Sequence, residues 1–413
     1  MRPERWRRGD VVAALGLAGL LAIGTVVLWL TSPVAGTTSA TADPPITAST
    51  APPETVPAIF VEAWRAPSAA TPSPVVVGPA VVTADGGAVI GREATTGIER
   101  WRYERDIPLC TVSGAFRFAD GGAGRVLTIF QNGAYCSEMT ALVPATGARA
   151  EQRNPDVAAG THVVDGGMFV ALTGSDYFEV LRSDLVKTLE YGAVRAPEQP
   201  GRQPRPGCRY GSIAVTANRV GVIERCPQET TDRLTVLVAD GDNGADWPQE
   251  EFSVPLPAGG GVLVAISADR VAVALPNPAR LLVYGSDGAP RVEVPLDVPD
   301  TDLAALAEAP LAVTTRDAER TYWWTGSHTV ALDSSQLVPL WTAGVTLGPG
   351  TEYAGRWLLP IHGGLQVLDP ARGETLATIS IYREDPVAAV GMATQGDVLL
   401  EQRGDELVAL RPA

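Results

Sequence analysis

The sequence predicts an all-β fold, a β-propeller of four-stranded antiparallel blades, with eight blades expected and seven as the alternative. Three observations carry this. The 413-residue chain holds 43 Gly and 34 Pro scattered among Val, Ala and Leu, which suits short strands joined by turns. A polar turn recurs along it, sharpest in Ala94-Thr95-Thr96-Gly97-Ile98-Glu99-Arg100-Trp101. Finally, Phe60-Val61-Glu62-Ala63-Trp64-Arg65 reads as a fourth strand with no unit of its own, while the last unit is one strand short.

The chain divides into four parts. Residues 1–10 are a basic tail, with Arg2, Arg5, Arg7 and Arg8. Residues 11–30, Val11 to Leu30, carry no charge. At helical rise they span roughly 30 Å, the thickness of the bilayer core, and so read as one transmembrane helix. The arginines keep their flank cytoplasmic. The expected location is the cytoplasmic membrane, single-pass, with the N-terminus inside and the C-terminal domain extracytoplasmic. A cleaved signal peptide is the rival, with Ala40-Thr41-Ala42 as its A-x-A site, but that site lies well beyond the apolar run.

Residues 31–58 are rich in Thr, Ser, Ala and Pro, among them Pro33, Pro44, Pro45, Pro52, Pro53 and Pro57. Such a stretch buries too little apolar surface to offset its ordering entropy and is expected to be a disordered tether. Residues 59–413 form the propeller. The formal net charge is −15. Setting aside the four arginines, Glu4 and Asp10 leaves 28 basic against 45 acidic residues, net −17. That balance argues against a nucleic-acid partner.

Within 59–413 the turns succeed one another at a steady spacing. Thr96-Gly97, Thr146-Gly147 and Arg372-Gly373 are the clearest; Asn243-Gly244 and Asp287-Gly288 are less sharp. Ser183-Asp184-Leu185 and Ser334-Ser335-Gln336 have lost the glycine. The six intervals from Gly97 to Gly373 average 46 residues, room for four strands and their turns. Val163 to Val170 and Val262 to Leu275 read as inner hairpins. The final unit, Val387 to Pro412, has three strands, the last being Leu407-Val408-Ala409-Leu410. The orphan strand at Phe60 is expected to complete it and close the ring, leaving no exposed edge.

The Thr-Gly-x-x-x-Trp spacing of Thr96 to Trp101 resembles the repeat of quinoprotein-type (PQQ-like) β-propellers. So do the turns Leu142-Val143-Pro144-Ala145-Thr146-Gly147 and Leu368-Asp369-Pro370-Ala371-Arg372-Gly373. Trp64 and Trp341 keep the tryptophan without the full turn. The resemblance covers roughly 59–413 and extends to membrane-anchored propellers of high-GC Gram-positive bacteria. That family includes quinone-dependent alcohol and sugar dehydrogenases and non-enzymatic scaffolds of outer-membrane protein assembly. The dehydrogenases carry adjacent cysteines beside the quinone and a calcium site of Asp, Glu and Asn. This sequence has no Cys-Cys pair and no such cluster, so neither cofactor nor activity is carried over.

The four cysteines, in an exported domain, are expected as disulfides. A reversal centred on Ala217 sets Cys208 opposite Cys226, and one centred on Ala123, within Asp120-Gly121-Gly122-Ala123-Gly124, sets Cys110 opposite Cys136. No C-x-x-C is present, which argues against a metal. The three histidines, His162, His328 and His362, fall in separate units. No G-x-S-x-G, H-E-x-x-H or G-x-x-x-x-G-K-[ST] occurs. Four residues are nominated for partner contact. In Tyr322-Trp323-Trp324 the adjacent indoles face opposite sides, so one packs between blades and the other is free to stack on a ligand. The insertion Arg195 to Pro206 breaks the rhythm and is expected to loop outwards, offering Arg202 and Arg205 to an acidic partner.

These readings describe a membrane-anchored extracytoplasmic propeller that is not an enzyme, needs no cofactor, and acts as a protein-binding scaffold for envelope or membrane-complex proteins. The alternatives are a degenerate quinone-dependent or sugar-acting enzyme with its site in the central funnel, and a sensor ectodomain.

Overall fold

The computed structural model describes residues 8–30, 32, 34–47, 51, 53–117, 124–384 and 389–413. Arg2, Arg5, Arg7, Pro33, Pro52, the reversal at Asp120 to Ala123, and Val387 lie outside them. Among the described residues the strands form eight antiparallel sheets, each a blade. Blades 1 to 7 span 75–105, 109–153, 163–192, 209–255, 262–295, 313–344 and 351–380. Blade 8 takes its three inner strands from 390–412 and its outermost from Phe60–Pro67. That strand pairs with Glu406–Pro412 along its length, from Phe60 opposite Pro412 to Pro67 opposite Glu406. The ring therefore closes as expected, with eight blades; every turn-bearing unit builds a full blade.

In each blade the chain runs down the innermost strand, up the second, down the third and up the outermost. The lower face thus carries the first and third turns of each blade. The upper face carries the middle turns and the crossings between blades. Apolar side chains from facing sheets interdigitate to form the core, and clusters such as Phe178, Val180, Tyr191, Tyr210, Ile213 and Val222 join two adjacent blades.

The tryptophans show how the blades are joined. The indole N–H of Trp101 donates to the Pro144 carbonyl at 2.8 Å, in the lower turn of the next blade. Trp64 does the same to Ala94 at 2.7 Å, and Trp341 to Pro370 at 3.0 Å. Each indole lies under the glycine of that turn. A Cβ on Gly147, Gly97 or Gly373 would fall 2.6 Å from the ring, and all three glycines have positive φ. Turn and tryptophan are therefore two halves of a joint between blades, not one unit. Trp64 and Trp341 dock fully, because their turns sit one blade further on.

Where the glycine is lost, the joint is inverted. Leu185 and Leu337 take the left-handed conformation, with φ of 58° and 57°, and bury their own side chains in the seam. That conformation costs roughly 1–2 kcal/mol for a residue with a Cβ. Burying a leucine contributes about 1.5–3 kcal/mol in return.

Ahead of the ring stands one helix, α1 (Arg8–Leu30), apolar and solvent-facing. By length and composition it is able to cross a membrane. The following stretch departs from the expected disordered tether. Thr37–Ala40 is a strand, added as a fifth to the outer edge of blade 1 and paired from Thr37 opposite Arg105 to Ala40 opposite Arg102. Beyond it the Ala42 and Ile46 amides donate to Thr146 and Ala145, and both side chains are buried. The Arg100 guanidinium donates to the Pro44 carbonyl at 3.0 Å. This strap covers the joint of blades 1 and 2, so Trp101 is 1% exposed while Trp64 and Trp341 are only half-buried. Backbone pairing to a free edge and two apolar anchors suffice to order it, and composition alone shows neither.

Both disulfides form with the expected partners, Cys110–Cys136 and Cys208–Cys226. The second closes a two-strand hairpin, since Arg209 and Arg225, the adjacent pair, lie opposite each other. The first has a different geometry from the expected hairpin. Cys110 sits at a bulge on the innermost strand of blade 2 and reaches across the second strand to Cys136 on the third. The equal spacing about residue 123 named the right partner through the wrong reversal.

Candidate functional site

Two nests of buried polar groups flank blade 3. Between blades 2 and 3, Glu179 and Glu190 lie directly opposite on adjacent strands, a pairing that like charges resist. The Tyr177 hydroxyl bridges them, 3.0 Å from Glu179 Oε2 and 3.2 Å from Glu190 Oε2. The Lys187 ammonium pairs with Glu190, and Arg153 Nε stands 3.9 Å from Glu179 Oε1. Burial pushes the Glu179 pKa up, against the pull of Tyr177, Lys187 and Arg153.

Between blades 3 and 4, Glu224 is fully buried. It accepts from Arg205 Nε at 2.9 Å and from the Tyr191 hydroxyl at 2.9 Å, and it meets Thr235. Arg205 also donates to Tyr191 at 2.7 Å and pairs with Glu250. Burial disfavours the guanidinium charge here. Tyr191, Glu224 and Glu250 outweigh it and raise the Arg205 pKa above its ordinary value. Glu224 lies beside Cys208 and Cys226, the one cluster of metal-ligating residue types among the described residues. Their sulfurs are spent in the disulfide, so the cluster offers no thiolate.

The four nominated residues divide. Trp323 lies at 0% exposure in the seam of blades 5 and 6, out of reach of any partner. Arg205 is bound into the Glu224 nest, and its neighbour Gln203 donates to Glu190 and Asp246. The insertion therefore folds back onto the seam instead of looping outwards, because a buried carboxylate draws it in. Trp324 keeps part of its surface while its indole N–H donates to Thr346 at 3.1 Å. Arg202 is exposed and lies 3.9 Å over the Trp247 ring. These two stand on the upper face in different blades and form no common site.

On the upper face, blades 4 and 6 are tied together. The crossing from blade 5 to blade 6 carries a second helix, α2 (Asp300–Leu306). It then runs to the inner strand of blade 4, where the Ile213 amide donates to Pro310 at 3.0 Å. The Arg225 guanidinium bonds the Ala307 carbonyl. Asp302 Oδ2 holds α2 to blade 6, accepting from Thr325 and Ser327 hydroxyls at 2.7 Å each. Ser327 Oγ is also 2.7 Å from His328 Nδ1. The Asp, Ser and His are thus adjacent but wired for support. The carboxylate accepts the serine hydroxyl's hydrogen bond directly, whereas a catalytic triad has the carboxylate on the imidazole nitrogen that faces away from the serine. His162 lies before blade 3 and His362 at a turn of blade 7, so the histidines stay apart. Burial pushes the His162 pKa down.

The lower face carries the joint-forming turns. An open groove of about 470 Å³ runs among Glu319, Arg320, Asp333, Ser335, Leu340 and Ala371. Its carboxylates are occupied: Asp333 Oδ1 accepts the Ser335 and Gln336 amides and the Ser335 hydroxyl. Sequence reading missed the Glu179 nest, the carboxylate partners of Arg205 and the Asp302 bracket, whose members match no spacing rule.

No family model matches this chain, and no curated protein matches it in sequence. Solved structures do resemble it. BamB of Moraxella catarrhalis is similar over 86% of this chain and 100% of that one, with 12% identity and a TM-score of 0.51. AztD of Citrobacter koseri is similar over 78% and 87%, with 12% identity and a TM-score of 0.49. The dihydro-heme d1 dehydrogenase NirN is similar over 75% and 66%, with 13% identity and a TM-score of 0.47. At such identities the likeness to BamB shows a shared β-propeller fold and nothing finer.

Proposed function

We propose that the protein is a non-enzymatic, protein-binding scaffold, held at the outer face of the cytoplasmic membrane by α1 and serving partners in the cell envelope. The observation that carries this reading is an apolar, solvent-facing helix joined to a closed ring that holds two disulfides. Structural disulfides persist where the compartment is oxidising, so they favour the outer side of the membrane. The broad faces of a rigid propeller suit protein contacts.

Crosslinking in intact membranes followed by capture of the full chain is expected to recover a specific protein partner. Recovery of none argues against the scaffold. A reporter enzyme active only outside the membrane, fused after Ala413, is expected to be active; an inactive fusion overturns the topology.

A further inference from the structure

The strap bears on how the ring sits at the bilayer. Thr37 pairs with Arg105, and the Asp106 amide donates to the Gly36 carbonyl, so the strap joins blade 1 at its upper rim. From there it descends: Ala40 lies opposite Arg102, and Ala42 and Ile46 bond the lower turn of blade 2. Only residues 31–36 separate Leu30, the end of α1, from Thr37. Fully extended, that stretch reaches about 25 Å at most. A tether of all 28 residues expected from composition would let either face approach the membrane.

We propose that the strap orients the propeller, holding the upper rim of blade 1 against the lipid surface and turning the lower face, with its glycine turns, away from the membrane towards soluble partners. This rests on the reading of α1 as a membrane anchor. Accordingly, Trp324, Arg202 and α2 belong to the membrane-facing side. Tyr382, the most exposed large hydrophobic residue of the ring at 83%, follows the outermost strand of blade 7 on that same side.

The test places one donor fluorophore on the full chain, reconstituted in vesicles whose headgroups carry an acceptor. Among the described residues no cysteine is free, so Asp85→Cys at the upper rim of blade 1 or Ile98→Cys at its lower rim gives one reactive thiol. Energy transfer is expected to be several-fold stronger from position 85 than from position 98. Equal or reversed transfer overturns the orientation. Replacing residues 37–46 by a Gly/Ser stretch of equal length should abolish the difference while the chain still floats with the vesicles. A difference that survives the replacement overturns the role of the strap. Failure of the unaltered chain to float with vesicles overturns the anchor itself, and the orientation with it.

Discussion

The seams of the ring are built in two ways. Between blades 8 and 1, 1 and 2, and 6 and 7, a tryptophan slides under a glycine turn and donates one hydrogen bond. On either side of blade 3 the seam instead holds carboxylates, tyrosines, two arginines and a lysine. The first kind depends on shape: apolar area, a missing Cβ and one carbonyl. The second depends on charge pairing, because a buried charge left without its counter-charge costs far more than a lost contact. A shape joint recurs and can be recognised from one blade to the next. A polar nest is specific to its place.

The comparison is sharpest at Trp101, whose removal should have the largest effect. Trp101→Ala is expected to destabilise the ring by about 3–5 kcal/mol in denaturant unfolding, with smaller losses for Trp64→Ala and Trp341→Ala. Equal losses at all three would show that the strap adds nothing to the first joint. Replacing Cys208 and Cys226 together by Ala should cost about 3 kcal/mol through the freed unfolded chain, read as a lowered melting temperature.

Glu224→Gln should cost about 2 kcal/mol, because Arg205 loses its fully buried counter-charge. If that variant is as stable as the unaltered protein, the blade 3 seam is not held by its charges. The smallest effect concerns pH. Folding raises the Glu179 pKa, so the native state binds this proton more tightly than the unfolded chain. Its contribution to stability is present below the ordinary glutamate range and is lost as pH rises through the raised value. Glu179→Gln should flatten the fall of melting temperature as pH rises above the ordinary glutamate range. An unchanged slope would remove Glu179 as its source.

What could be read in the sequence follows the same division. Strand alternation, turn chemistry and the unpaired strand at Phe60 are local signals, and they yielded the blades, the closure and the cysteine partners. That Trp101 joins Gly147 and not its sequence neighbour Gly97 is not legible in the sequence, because the partner turn belongs to the next unit. The strap was missed because Ala42 and Ile46 are only two apolar anchors in a Thr, Ser and Pro background. Trp323 and Arg205 were nominated for partners because nothing nearby in sequence shows the blade 5 seam that buries the one or the Glu224 that holds the other.

The closing strand also bears on timing. Phe60–Pro67 and Glu406–Pro412 pair in one sheet, yet about 340 residues separate them. At synthesis rates of about 5–20 residues per second, the first strand waits roughly 20–70 s for its partner. Until then blade 8 has an open edge and the ring has no closure. A chain cut short before residue 406 leaves that edge unpaired, so the pairing of Phe60–Pro67 with Glu406–Pro412 reports that the ring has closed.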